Sequence, residues 1–208
     1  MTAKRKYSNI WHRHRGAIWT AIVLLALFPI FMRITIHKNT TLLAAGVTVN
    51  VSLSKDAEQY LKTIYHEELT TWEKVSVNSM AILNAENPAS IHGNYNTVRG
   101  IIALSKSGEL DYILMDEYAL ESLIGHDPFM DLRQIFPVEM LSALGRDVIY
   151  IRNKAETSSK PVAINITNLP FIQDGTEHSS AVYISFTADT PRKEVCCDIW
   201  EYINAWQQ

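Results

Sequence analysis

The segment GELDYILMDEYALESLIG, residues 108–125, indicates the fold class. Its run from Tyr112 to Met115 is apolar at every position, which is typical of a strand buried on both faces of a sheet. Asp116 ends the run, and apolar residues then recur at helical spacing until Gly125, a predicted helix stop. A buried strand that leads directly into a helix predicts one β/α unit of an α/β sheet.

The same alternation extends to both sides of this unit. Two strand-like segments, each followed by a helix-like one, precede it, so three β/α units follow one another up to residue 125. This order predicts a mainly parallel sheet with right-handed crossovers and flanking helices. The other predicted strands are 42–53, 74–83, 148–151, 162–166 and 181–186, a polar turn is predicted at 173–180, and Thr190 and Pro191 open a last helix.

Three residues near the ends of predicted strands are candidate ligand contacts. Asp116 follows the buried strand at the edge where parallel sheets bind ligands, Tyr118 comes two residues later, and Asn165 lies near the end of another strand. Asp116 also has a simpler interpretation, because an aspartate that precedes a helix can cap it without any ligand.

Charge is distributed unevenly along the chain. Residues 1–33 contain six Lys or Arg and no acidic residue, so the other 175 residues contain 13 basic and 22 acidic side chains, a net charge of −9. Nucleic acid binding needs clustered Lys and Arg, and an acidic body therefore argues against a nucleic acid partner.

The two cysteines, Cys196 and Cys197, are adjacent in the predicted last helix. Neighbouring cysteines close a disulfide only in a strained ring, so the chain has no disulfide framework. Cysteine in a helix is typically a small buried hydrophobic residue, and this is the interpretation that we favour. A vicinal redox pair or a soft-metal site is the alternative, although no His or third Cys lies nearby in sequence to complete a metal site.

A transmembrane anchor is predicted near the N-terminus. Residues 16–32 carry no charge and lie between Arg15 and Arg33, a length at the lower limit for a spanning helix. Ile34 and Ile36 can extend the apolar segment, so the predicted span is 16–36. The residues expected to contact the bilayer are Trp19, Leu24, Leu25, Phe28 and Pro29.

The basic leader predicts the orientation of this anchor. Residues 1–15 are expected in the cytoplasm, residues 37–41 form a linker, and residues 42–208 form an extracytoplasmic domain of a single-pass protein in the cell membrane. A cleavable signal peptide is the alternative. It is disfavoured because no small-x-small cleavage site follows the apolar run closely.

Three stretches of the chain resemble a known family. Residues 108–116 with Leu123 and Phe129-Met-Asp-Leu132, residues 160–167, and residues 181–203 resemble, in order and texture, the extracellular solute-binding proteins of bacterial ABC importers. The resemblance implies a periplasmic-binding-protein-like α/β lobe outside the membrane, a strand at 160–167 that enters a hinge, and a returning strand at 181–186. It also implies a solute as ligand and an importer as partner.

The chain departs from this family in two respects. Only residues 169–180 separate the two hinge-like strands, where the family inserts a second lobe, so the sequence predicts a single lobe. A lone lobe offers half of the cleft that normally encloses a ligand. The lipid-anchoring cysteine that the resemblance implies for Gram-positive bacteria is replaced here by the predicted spanning helix.

The sequence contains no motif that indicates a reaction, a metal or a cofactor. His66-Glu67 begins like a zinc protease motif, but Thr70 occupies the position of the second metal ligand. Histidines and aspartates in predicted loops are dispersed, as solvated surface residues usually are. The dispersed candidates are His92, His126, His178, Asp111, Asp127 and Asp131.

Three functions are therefore considered, in this order. The first is a membrane-anchored, non-catalytic, single-lobe module that docks an envelope protein partner in transport or sensing. The second is a solute-binding protein of an ABC import system with a small-molecule ligand at Asp116 and Asn165. The third is an extracytoplasmic hydrolase with an unrecognised site.

Overall fold

The structure is a computed structural model of the 208-residue chain. It describes residues 16, 19, 23–28, 41–64, 73–79, 83, 91–152, 159–177 and 180–206. The chain divides into two units, residues 1–41 and residues 42–208, and each is described by itself.

The second unit alternates strands and helices. Its strands are β1 (Thr41–Val49), β2 (Ser52–Leu53), β3 (Glu73–Ser79), β4 (Tyr112–Asp116), β5 (Val148–Ile151), β6 (Lys160–Asn165), β7 (Thr176–Glu177) and β8 (Val182–Phe186). Its helices are α1 (Lys55–Lys62), α2 (Ile91–Lys106), α3 (Glu117–Ile124), α4 (Val138–Leu144), α5 (Pro170–Gly175) and α6 (Lys193–Asn204). Short 3-10 turns occupy Leu132–Gln134 and Gly145–Asp147.

Six strands form one mixed sheet in the order β3-β1-β4-β8-β6-β5. β1 and β4 are parallel, with Gly46 opposite Tyr112 and Val49 opposite Met115. β8 is antiparallel to both of its neighbours, β4 and β6, and β5 is antiparallel to β6. β2 and β7 form a separate antiparallel pair.

The prediction of a mainly parallel sheet therefore holds for only part of the sheet. It holds between β1 and β4, which a long crossover connects, whereas the β4–β8, β8–β6 and β6–β5 pairs are antiparallel. Residues 152–159 join β5 to β6, and eight residues are too few for the crossover of a dozen or more that a parallel pair requires. The coarser prediction, an α/β sheet with flanking helices, is confirmed.

Alternate residues of the sheet enter two different cores. On β4, Tyr112 and Leu114 pack in a cluster with residues of α1, α4, α5 and α6. Ile113 and Met115 pack on the opposite face, in a cluster with residues of α2 and α3. The domain consequently has three layers, with the sheet in the middle, and β4 is buried on both faces as its apolar run predicts.

Helix ends in the second unit follow the predicted capping chemistry. The Asp116 carboxylate accepts from the Ala119 amide at 2.8 Å, which confirms the capping interpretation of this residue, and the Ser54 hydroxyl caps α1 in the same way by accepting from the Ala57 amide at 3.1 Å. Pro137 precedes α4 as its N-cap residue. Gly125 ends α3 as expected, but with a φ of −64° rather than the left-handed conformation common at this position.

The predicted polar turn at 173–180 is wrong over its first half. Pro170 starts the helix α5, whose Phe171 and Ile172 are fully buried, and β7 follows directly. Two large buried side chains in a six-residue helix are too few to give a periodic sequence signal.

In the first unit, the structure describes Gly16, Trp19 and 23–28, and these residues are helical and exposed. No helix among the residues that the structure describes has the length and hydrophobicity needed to cross a membrane. Pro29 and the rest of the predicted span to residue 36, the leader 1–15 and the linker 37–40 lie outside the described residues.

Candidate functional site

The ends of three strands meet at one edge of the sheet, and this edge is the candidate functional site. β1, β4 and β6 run in the same direction, because β1 is parallel to β4 and β8 is antiparallel to both β4 and β6. Asn50, Asp116 and Asn165 therefore lie together at the carboxyl edge, where open α/β sheets bind ligands.

Asn50 and Asp116 form a hydrogen-bonded junction. The Asn50 amide nitrogen donates to one Asp116 oxygen at 3.0 Å and to the Leu83 carbonyl at 3.0 Å, while its oxygen accepts from the Leu83 amide at 2.7 Å. Asn50 adopts a left-handed φ of 60°, a conformation that asparagine tolerates better than most residues. The other Asp116 oxygen caps α3, so both oxygens of this carboxylate have partners within the chain.

Asn165 lies two strands away from Asp116 and does not join this junction. β8 runs between them, which separates the two backbones by about 9–10 Å at normal strand spacing. The Asn165 side-chain oxygen accepts from the Thr167 amide at 3.0 Å and from the Thr167 hydroxyl at 2.6 Å. The same hydroxyl accepts from the Val182 amide at 2.9 Å, so Asn165 and Thr167 fix the start of β8.

Tyr118, the third candidate ligand contact, packs partly buried against the cluster on the α3 side of the sheet. Tyr183 on β8 belongs to the same cluster and lies opposite Met115 on one side and Asn165 on the other. Burial, and then the carboxylates of Glu117 and Glu121 on α3, raise the pKa of the Tyr183 hydroxyl above its ordinary value.

Sequence reasoning thus identified Asp116 and Asn165 at the edge but missed Asn50, Glu117 and Glu121. Asn50 could have been found, because it follows β1 in the way that Asp116 follows β4, and neighbouring parallel strands end at the same edge. The electrostatic effect of Glu117 and Glu121 on Tyr183 depends on the antiparallel insertion of β8, which has no local signal in the sequence.

A second polar cluster, centred on Asp111, is structural. Asp111 is fully buried, and its carboxylate accepts from the Ala45 amide at 2.7 Å, from the Arg192 guanidinium at 3.0 and 3.1 Å, and from the Thr190 hydroxyl. These bonds connect β1, the start of β4 and the start of α6. A buried carboxylate whose oxygens are engaged by this many donors is not available to a ligand.

The other dispersed candidates do not converge. Asp127 pairs with Lys160, Asp131 pairs with Arg133, and His126 is exposed. The Arg133 guanidinium holds the pKa of Asp131 below its ordinary value. In the described part of the chain no three His, Cys, Asp or Glu side chains are grouped as metal ligands, while His178 and the side chain of His92 lie outside that part.

A half-open depression of about 520 Å³ lies away from the sheet edge, at the start of α6, and is lined by residues 190–195. Three of its polar side chains are already engaged: Thr190 and Arg192 bind Asp111, and the Lys193 ammonium donates to the Gln134 side chain at 2.7 Å. We therefore regard the carboxyl edge of the sheet as the better candidate site.

Comparison of the chain with protein-family models, with curated proteins and with solved structures gave no match.

Proposed function

We propose that the chain is a membrane-anchored, extracytoplasmic, non-catalytic module that docks a partner protein of the cell envelope through its α/β domain. The observation that carries this proposal is the exposure of large apolar side chains in the helical part of the first unit. Trp19, Leu24, Leu25 and Phe28 are 59%, 63%, 73% and 60% exposed. Contiguous exposed apolar surface is costly in water and is stabilised in a lipid bilayer.

The charge distribution supports the orientation in this proposal. The leader that precedes the apolar residues is basic, and the rest of the chain has a net charge of −9. Positive residues that flank a membrane segment remain on the cytoplasmic side, which would place the α/β domain outside. The resemblance to solute-binding proteins agrees with that location.

Site-directed labelling with a membrane-impermeant thiol reagent tests the orientation. Ser180, which is exposed, and Ser8 in the leader are each replaced by cysteine in a Cys197→Ser chain, and that chain is the blank because its remaining Cys196 is buried whereas Cys197 is only half-buried. Intact cells should label the Ser180→Cys chain and leave the Ser8→Cys chain unlabelled until the membrane is permeabilised. Equal labelling of both chains in intact cells would contradict the proposal.

Docking is tested separately, by mild crosslinking in native membranes. The same membrane proteins should be recovered from independent preparations, and fewer of them when Glu117 and Glu121 of α3, which begins at the sheet edge, are both replaced by glutamine. A chain that stays monomeric and uncrosslinked in native membranes would overturn the docking function, whatever the orientation.

The second candidate function is binding of a small solute at the sheet edge. The observation that favours it is that Asn50, Asp116 and Asn165 all lie at one carboxyl edge of the sheet. A solute that binds there should stabilise the folded protein by about 2.7 kcal/mol at a hundredfold excess over Kd. The unfolding midpoint of the protein should therefore rise. A panel of sugars, amino acids and peptides that leaves the midpoint unchanged would favour protein docking instead.

A further inference from the structure

We draw no further inference here: the strongest candidate, the half-open depression at the start of α6 that residues 190–195 line, is a helix N-terminus without a second observation that points to a ligand, because its Thr190, Arg192 and Lys193 side chains already bind Asp111 and Gln134 within the described part of the chain.

Discussion

Gly46 shows how a single residue fixes the packing of two strands. It lies directly opposite Tyr112 in the parallel β1–β4 pair, and a Cβ atom added at Gly46 would lie 2.0 Å from Cζ of the Tyr112 ring. The ring is fully buried and thus has no space into which it could move. Gly46→Ala should therefore lower the free energy of unfolding by about 1–3 kcal/mol through overpacking.

Urea unfolding followed by tryptophan fluorescence measures this loss, with the buried Trp200 as a reporter. Gly100→Ala is the matched control, because a Cβ at this helical glycine meets no atom within 4 Å. Alanine should raise the stability there by about 0.5–1 kcal/mol, since glycine in a helix is entropically costly. An equal effect of both substitutions would contradict the packing argument.

The two adjacent cysteines should differ in reactivity. Burial, and then Asp111, raise the pKa of the Cys196 thiol to about 12, while Cys197 is only half-buried. At pH 8 the thiolate of Cys196 then amounts to on the order of one part in ten thousand, and only the thiolate reacts. A thiol reagent should modify Cys197 first and Cys196 only after unfolding. Because folding raises the pKa of the Cys196 thiol, this thiol should stabilise the folded state below about pH 9, and that stabilisation should be lost as the pH rises toward 12.

Mass spectrometry of the modified peptides identifies which cysteine has reacted. Rapid modification of Cys196 in the folded chain would contradict its assignment as a buried hydrophobic residue. Formation of a disulfide between the two cysteines without unfolding would favour the redox alternative.

At the scale of single elements, α3 depends on the residue that precedes it. Asp116 caps the helix with one oxygen and binds Asn50 with the other. Asp116→Ala removes both interactions and should cost about 0.5–2 kcal/mol, the usual effect of losing a cap. Asp116→Ser retains a capping oxygen but loses the Asn50 bond, so it should cost less. Hydrogen exchange of the first-turn amides of α3 would separate the two effects, and equal exchange in both variants would contradict the capping role.

Structural elements with a local sequence signal could be predicted. Elements whose position depends on pairing with residues far away in the sequence could not. Ser54 and Asp116 cap the helices that follow them within three residues, and the run from Tyr112 to Met115 is apolar on both faces, so all three features are local in the sequence. The position of β8 between β4 and β6 is different, because it depends on pairing with strands that precede it by many residues. For the same reason, the carboxylates that raise the pKa of Tyr183 could not be identified from spacing alone.

At the scale of the whole molecule, all buried side chains among the described residues lie between Ala44 and Ile203, in the second unit. Two clusters, one on each face of the sheet, contain most of them. A domain of this size can bury enough apolar surface to fold without further contacts. Residues 41–208, produced without the first forty residues, should therefore unfold in one cooperative transition at the same midpoint as the full chain in detergent.

Thermal and urea unfolding of both proteins, each followed by fluorescence and circular dichroism, provide the comparison. Coincident transitions from the two probes would identify a two-state domain. A substantially lower midpoint or non-coincident transitions for residues 41–208 would mean that the first unit contributes to the stability of the α/β domain. The proposal of an anchor that only tethers the domain would then be wrong, because a tether adds no free energy to the fold that it carries.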